Sequence, residues 1–202
     1  MRDLIIYGAG GFAREVYWHS SVDVVSRRVR MFIDDDPSIS SLYGLPVLAR
    51  ASFEEHDDDE LFVAVGNPGA RRKIVGSFDG KKKFTVLMHR FVVLYDSSVG
   101  IGSILCPGTI VTTGVVIGEH VHVNLNCTIG HGAKIGNFTT LSPGVHVSGN
   151  VSIGEGVFVG SGVVIFEGVT IGSNVRIGAG AVVMKNVVSG TTVVGVPARP
   201  VG

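Results

Sequence analysis

The residues of this chain with reactive potential fall into two groups. In the second half lie His120, His122, His131 and His146. His131 sits between Gly130 and Gly132, small neighbours that leave its imidazole accessible. Histidine is the side chain best suited to accept a proton near neutral pH, so His131 is a candidate general base. In the first half, Gly8, Gly10 and Ala13 satisfy the G-x-G-x-x-G/A spacing, and Asp34, Asp35 and Asp36 follow about twenty residues later. Backbone N–H groups at such a turn hold a phosphate, and a carboxylate beyond the second strand holds a ribose or a base edge. NAD, a nucleotide-linked substrate and a plain tight turn all fit that spacing.

These residues must be positioned by the elements around them, and in the second half those elements announce themselves. From Val99 to Val183 an aliphatic residue returns at every sixth position, fifteen times without a miss. A second, smaller series follows each of the first fourteen by four residues, from Ser103 through Cys127 to Ala181. A helix repeats at 3.6 residues and a strand at 2, so a sustained period of six is neither. It is the hexapeptide signature of a parallel β-helix. Three short strands make one triangular coil, so residues eighteen apart stack at about 4.8 Å. Both series face inward, and each buried Val, Leu or Ile contributes ~1.5–3 kcal/mol. Gly149 is stacked on His131 in this scheme, with a backbone N–H close to any ligand there. His146, three residues earlier, borders the same groove.

The first half reads as alternating strands and helices. Leu4–Tyr7, Val29–Ile33, Leu61–Val65 and Phe84–Met88 are strand candidates, while Arg14–Val22 and Ala70–Phe78 are helical. That alternation implies a small, parallel, Rossmann-like α/β domain over residues 1–88. A linker from His89 to Asp96 then leads into a β-helix domain over 89–202. Four strands are too few for two mononucleotide halves, which favours a nucleotide-linked substrate over NAD. Past Val183 a turn-rich tail, with Gly195-Val196-Pro197-Ala198, is expected to cover the open end of the coil.

Bulk properties exclude several classes. Lys+Arg and Asp+Glu balance at 17 each, so no nucleic-acid partner is expected from charge. No apolar run reaches membrane-spanning length, and Asp3 and the early glycines interrupt any leader, so a cytoplasmic protein without membrane insertion is expected. Cys106 and Cys127 are twenty-one residues apart rather than eighteen, which points to two free thiols in a reducing compartment. Cys127 faces inward and is disfavoured as a nucleophile. A zinc hydro-lyase of the gamma carbonic anhydrase type would need three histidines, and no second histidine follows His131 at that family's close spacing. No metal is expected, and His120, His122 and His146 read as solvated or interface-packing residues.

The glycine turn Gly8–Ala13, the aspartates 34–36, the hexapeptide repeats and the Gly195–Ala198 tail together resemble the NeuD/PglD family of sugar O/N-acyltransferases over essentially the whole chain. That resemblance implies a left-handed β-helix, a homotrimer and acetyl-coenzyme A bound between neighbouring β-helices. It implies a nucleotide-linked amino sugar as acceptor, held by the N-terminal domain, in surface-polysaccharide synthesis. The implied catalytic set is His131 as base, Asn124 lining the same site and Gly149 donating its N–H to the thioester oxygen. Gly10, Gly11, Phe12, Asp35, Asp36 and Asn67 are the implied substrate contacts, and Thr140, Gly149, Gly160 and Gly178 the coenzyme contacts. Two positions depart from the family: Gly132 stands where some members have an acidic residue, and Thr140 where some have histidine. The expected reaction is N-acetylation by direct attack, with O-acetylation of a sialic acid or another sugar as the close alternative. A NAD-binding sensor module and the zinc hydro-lyase are the more distant ones.

Overall fold

A computed structural model describes residues 3–23, 27–35, 37–54, 59–78 and 83–201. The N-terminal part comprises β1 (Asp3–Tyr7), α1 (Gly11–Ser20), β2 (Arg28–Asp34), β3 (Ser41–Leu42), β4 (Leu45–Ala49), β5 (Glu60–Val63), α2 (Pro68–Gly76) and β6 (Lys83–Phe84). They form one sheet in the order β3-β4-β2-β1-β5-β6, with β1 paired in parallel to both β2 and β5. Side chains alternate across a strand. Leu4 and Ile6 therefore join the core beneath α1, while Ile5 and Tyr7 join the one beneath α2. Both faces are covered, so β1 reads as an unbroken apolar run.

Beyond the aspartates the chain forms a further pair of strands. Its β3–β4 hairpin turns at Tyr43-Gly44, both with positive φ (52° and 75°), as a two-residue turn of mirror-image type requires. The expected fourth strand, Phe84–Met88, is divided. Lys83–Phe84 pairs with β5, whereas Leu87–Met88 pairs with Ile104–Leu105 of the solenoid. The expected linker at 89–96 is likewise first-coil structure, since Val93–Leu94 pairs with Ile110–Val111.

The rest is a parallel β-solenoid of three faces, with eight, six and five strands. On the first face Ile104, His122, Thr140, Phe158 and Arg176 stack at intervals of eighteen. The inward aliphatic series packs one continuous core. Polar members of the small series are buried as well, and each reaches a backbone carbonyl fifteen residues on. Ser103 Oγ donates to Gly118 O at 2.9 Å, Thr109 Oγ1 to Asn124 O at 3.1 Å and Thr139 Oγ1 to Gly154 O at 3.0 Å. Cys127 occupies the same niche, with Sγ 3.3 Å from Ser142 O. Burial pushes its thiol up to about 11, so it is no nucleophile. The tail closes the coil: Thr192–Val194 pairs in parallel with Arg176–Ile177 and antiparallel with Arg199–Pro200.

The α/β part lies on the lower first face of the solenoid. Arg71, on α2, is fully buried there and donates to Val65 O (2.7 Å), His120 O (2.9 Å), Phe138 O (2.8 Å) and Thr140 Oγ1 (3.0 Å). His122 is buried beside it, against the rings of Phe12 and Phe62. His120 stacks on Phe138 at 5.1 Å. Both are thus interface-packing histidines.

Burial holds His19 and His120 down to about 4, each helped by a neighbouring cationic or titratable group, and holds His122 well below its ordinary value. These rings are uncharged in the folded protein, whereas in the unfolded chain they protonate near ~6.5. Their contribution is therefore complete above pH ~6.5 and is lost as pH falls towards 4, by about 3 kcal/mol for each of the first two. A steep fall of Tm with pH across that window is expected. A flat profile there would contradict the burial of these rings.

Candidate active site

His131 projects from the corner that follows the middle-face strand Thr128–Ile129. It is exposed, and its ring lies across the backbone of Gly149 one coil above. A Cβ on Gly149 would come within 2.5 Å of ring atoms Cε1 and Nε2, so only glycine admits the imidazole in this place. The main chains are tied too, Asn150 N–H donating to His131 O at 2.7 Å. Gly149 is buried under that ring rather than exposed as the spacing suggested. Among the described residues its N–H has no acceptor, and its carbonyl takes Gly168 N–H at 3.0 Å. No carboxylate partners His131 among the described residues. Its orientation comes from stacking on the glycine.

That packing makes Gly149→Ala informative. The backbone there is not left-handed, so alanine fits the chain, and the three atoms its Cβ would meet first all belong to the exposed ring. A displaced ring should lower kcat by ~10²-fold while Tm barely moves. Adding Gly149→Ala to His131→Ala should cost nothing more. A normal kcat in the single variant would detach Gly149 from the site.

Asn124 does not share a corner with His131. It follows the first-face strand His122–Val123, and its Nδ2 donates to Leu141 O at 3.0 Å. It stands in a column of stacked positions, with Cys106 below it and Ser142, Gly160 and Gly178 above, at the corner between the first and middle faces. Beside the upper part of that column runs a groove of about 410 Å³, lined by Phe158, Gly160, Ser161, Arg176 and Gly178 among others. The glycines allow the coils to close up: a Cβ on Gly160 would lie 2.5 Å from Ala179 N, and one on Gly178 2.7 Å from Val194 Cγ1. Arg176 and Phe158, which the motif reading missed, stack there, with Cζ 5.1 Å from the ring centroid. Their signal was the register itself, which stacks Arg176 one coil above Phe158 on the first face.

Thr140, expected to face the coenzyme, is a correction. It is 3% exposed and lies between the two parts of the chain, donating to Gly66 O at 2.8 Å and accepting from Arg71. His146 is exposed on the middle face, its Nδ1 2.9 Å from Thr128 Oγ1, in the register that places it one coil above that threonine.

In the N-terminal part, Gly10 and Gly11 are exposed at the start of α1, and no side chain caps that end. Its free N–H groups and the helix dipole suit an anion. Phe12 turns its ring inward onto His122, so only its backbone faces that end. The aspartates take separate tasks. Asp34 Oδ2 accepts from Ala9 N–H at 2.9 Å and thereby fixes the glycine turn. Asp35 accepts from Tyr7 Oη, and burial together with that bond raises the phenol well above its ordinary value. Asp36 lies outside the described residues. Asn67 is exposed and caps α2, its Oδ1 accepting from Ala70 N–H at 3.0 Å.

Among the described residues no three metal-ligating side chains come together, and no helix is long and apolar enough to cross a membrane.

Comparison with known proteins bears on the whole chain. The family model described as the PglD N-terminal domain matches residues 3–78, and the bacterial transferase hexapeptide model matches 132–167. GDP-perosamine N-acetyltransferase of Escherichia coli O157:H7 is 30% identical, over 69% of this chain and 66% of that protein, just under two thirds of its length. The acetyltransferase domain of PglB from Neisseria gonorrhoeae FA1090 superposes with a TM-score of 0.91 at 31% identity, covering 100% of both chains. That domain is also known in complex with acetyl coenzyme A. PerB from Caulobacter crescentus, in complex with CoA and GDP-perosamine, superposes with a TM-score of 0.91 at 27% identity, over 99% of this chain and 97% of that one. With a PglD-type N-terminal domain set on hexapeptide coils along its full length, this chain belongs to the NeuD/PglD-like family of sugar acyltransferases.

Proposed function

We propose that this protein transfers the acetyl group of acetyl-coenzyme A to the amine of a nucleotide-linked amino sugar, with His131 as general base. One observation carries the reading: an exposed imidazole seated on glycine backbone, in a chain that superposes over 99% of its length on a perosamine N-acetyltransferase of Caulobacter crescentus. In the reaction the amine nitrogen attacks the thioester carbonyl and a C–N bond forms. His131 takes the amine proton, the C–S bond breaks, and the thiolate leaves and is protonated. The Gly149 N–H, free of an internal acceptor, is the oxyanion donor in this scheme, a role that often supplies the largest single share of catalysis.

The coenzyme is assigned to the groove at Gly160 and Gly178, where the exposed Arg176 supplies positive charge for its phosphates. The nucleotide sugar is assigned to the start of α1, with its phosphates on the Gly10–Gly11 backbone. In one chain the His131–Gly149 corner and the Asn124–Gly178 column lie on opposite edges of the middle face. A single site holding both therefore needs two copies. That middle face is uncovered, with Val93 and Ile110 exposed on its lower coils and the Thr128–His146 pair above them. A cyclic homotrimer packed through this face, each site shared between neighbours, is the assembly that meets these demands.

The test is thiol release from acetyl-coenzyme A with a panel of nucleotide amino sugars, GDP-perosamine included. Acceptor-dependent release is the expected result. No release with any amino sugar, alongside tight binding of NAD, would favour the sensor-module reading instead.

A further inference from the structure

The outward residues of the middle face form one column, Val93, Ile110, Thr128, His146, Val164 and Val182, each paired with the next across the coils. Aliphatic side chains fill both ends of it, and the polar pair Thr128–His146 interrupts them in the middle. His146 is the column's one titratable group, and its ring is exposed. Nδ1 lies 2.9 Å from Thr128 Oγ1, and Nε2 has no partner among the described residues. With Nδ1–H donating to that hydroxyl, the lone pair of the neutral ring sits on Nε2. The proposed reaction uses neither residue.

The proposed trimer packs through this face and so turns three copies of the column toward one axis. A side of six residues at ~3.3 Å each is at most about 20 Å long, so three sides closed corner to corner leave each face centre roughly 5–6 Å from the axis. That is within the reach of a histidine. His146 stands at the middle of its side, between the inward Val145 and Val147. Three imidazoles therefore meet between aliphatic layers, Val164 above and Ile110 beyond the Thr128 layer below. Nitrogens left there without water or a partner are costly. Among the described residues of one chain no three metal-ligating side chains converge, but three chains bring three copies of one together. We infer that three His146 side chains, one from each protomer, bind a divalent transition-metal ion on the threefold axis. Imidazole nitrogens suit such ions, and three of them with one water make a tetrahedral set. The Thr128 hydroxyl is the outer partner that fixes the orientation of a ligating ring. The inference rests on the homotrimer reading and on no step of the acetyl transfer.

Co²⁺ is the probe, titrated into the protein by calorimetry and absorption, with sedimentation of the same samples. The wild type should bind one ion per three chains and develop the visible absorption of a tetrahedral site. His146→Ala should abolish both signals, whereas His131→Ala, which removes an exposed imidazole elsewhere, should bind as the wild type does. Thr128→Val keeps the ligand and loses its outer partner, so affinity should fall about 10–100-fold. Stoichiometry and spectrum of the wild type need no variant, so they decide even if His146→Ala fails to assemble. One ion per chain, binding retained in His146→Ala, or no binding by a sedimenting trimer would overturn the inference and leave the shared active site standing. A monomer at micromolar concentration would remove both together.

Discussion

Replacing His131 with alanine should lower kcat by about 10²–10⁴-fold, the usual contribution of a positioned general base, and leave the fold untouched. The side chain is exposed, lies outside both inward series and makes no hydrogen bond among the described residues. Its ring lies against the Gly149 backbone. Tm and acetyl-coenzyme A affinity should therefore match the wild type, separating chemistry from binding. His146→Ala is the control. That ring stands outward on the middle face and pairs with Thr128, away from the glycine seat. It should cost far less turnover. Equal losses in the two variants, or near-normal turnover in His131→Ala, would end the general-base assignment.

Arg71→Met should be the most damaging single change to stability, for reasons unrelated to chemistry. Arg71 is a fully buried cation that faces carbonyl and hydroxyl oxygens instead of a carboxylate, and burial lowers it to about 9. Methionine replaces its stem but leaves the carbonyls of Val65, His120 and Phe138 without their donors. Buried groups stranded in this way cost ~1–3 kcal/mol each, so a loss of ~3 kcal/mol or more is expected. Lysine should restore only part of it, because a single ammonium cannot span the fork that the guanidinium fills. Thermal unfolding and limited proteolysis report the effect, the α/β part becoming protease-sensitive before the solenoid. An unchanged Tm in Arg71→Met would mean that the two parts hold together by apolar packing alone.

The solenoid was readable from sequence because every coil repeats one local problem. An aliphatic residue fills the interior, a small one fits the corner, and the same demands recur eighteen residues later. Even Cys127 obeyed that logic, standing where Ser103, Thr109 and Thr139 bond to the next coil. His131 and Gly149 were brought together by the same arithmetic, since stacking is a property of register. What the period could not show is which outward face another part of the chain would cover. Thr140 has the spacing of a groove residue and is sealed beneath Arg71. Arg71 itself belongs to a basic run, Arg71-Arg72-Lys73, that reads as a solvated face. Asn67 carries the pattern of a ligand residue and is used as a helix cap. The Tyr43-Gly44 hairpin escaped notice because tyrosine is seldom chosen for a positive φ. For Thr140 and Arg71 the decisive partner lies far along the chain.

In the proposed reaction an acetyl group passes to nitrogen on a nucleotide-linked sugar. Incubation of the protein with labelled acetyl-coenzyme A and GDP-perosamine, followed by treatment of the product with alkaline hydroxylamine, tests it most directly. An amide resists that reagent whereas an ester is cleaved. The label should stay on the nucleotide sugar in full, and should be absent when His131→Ala replaces the wild type over the same time. Label lost to hydroxylamine would mean transfer to oxygen, and no label on the sugar at all would contradict the assigned reaction.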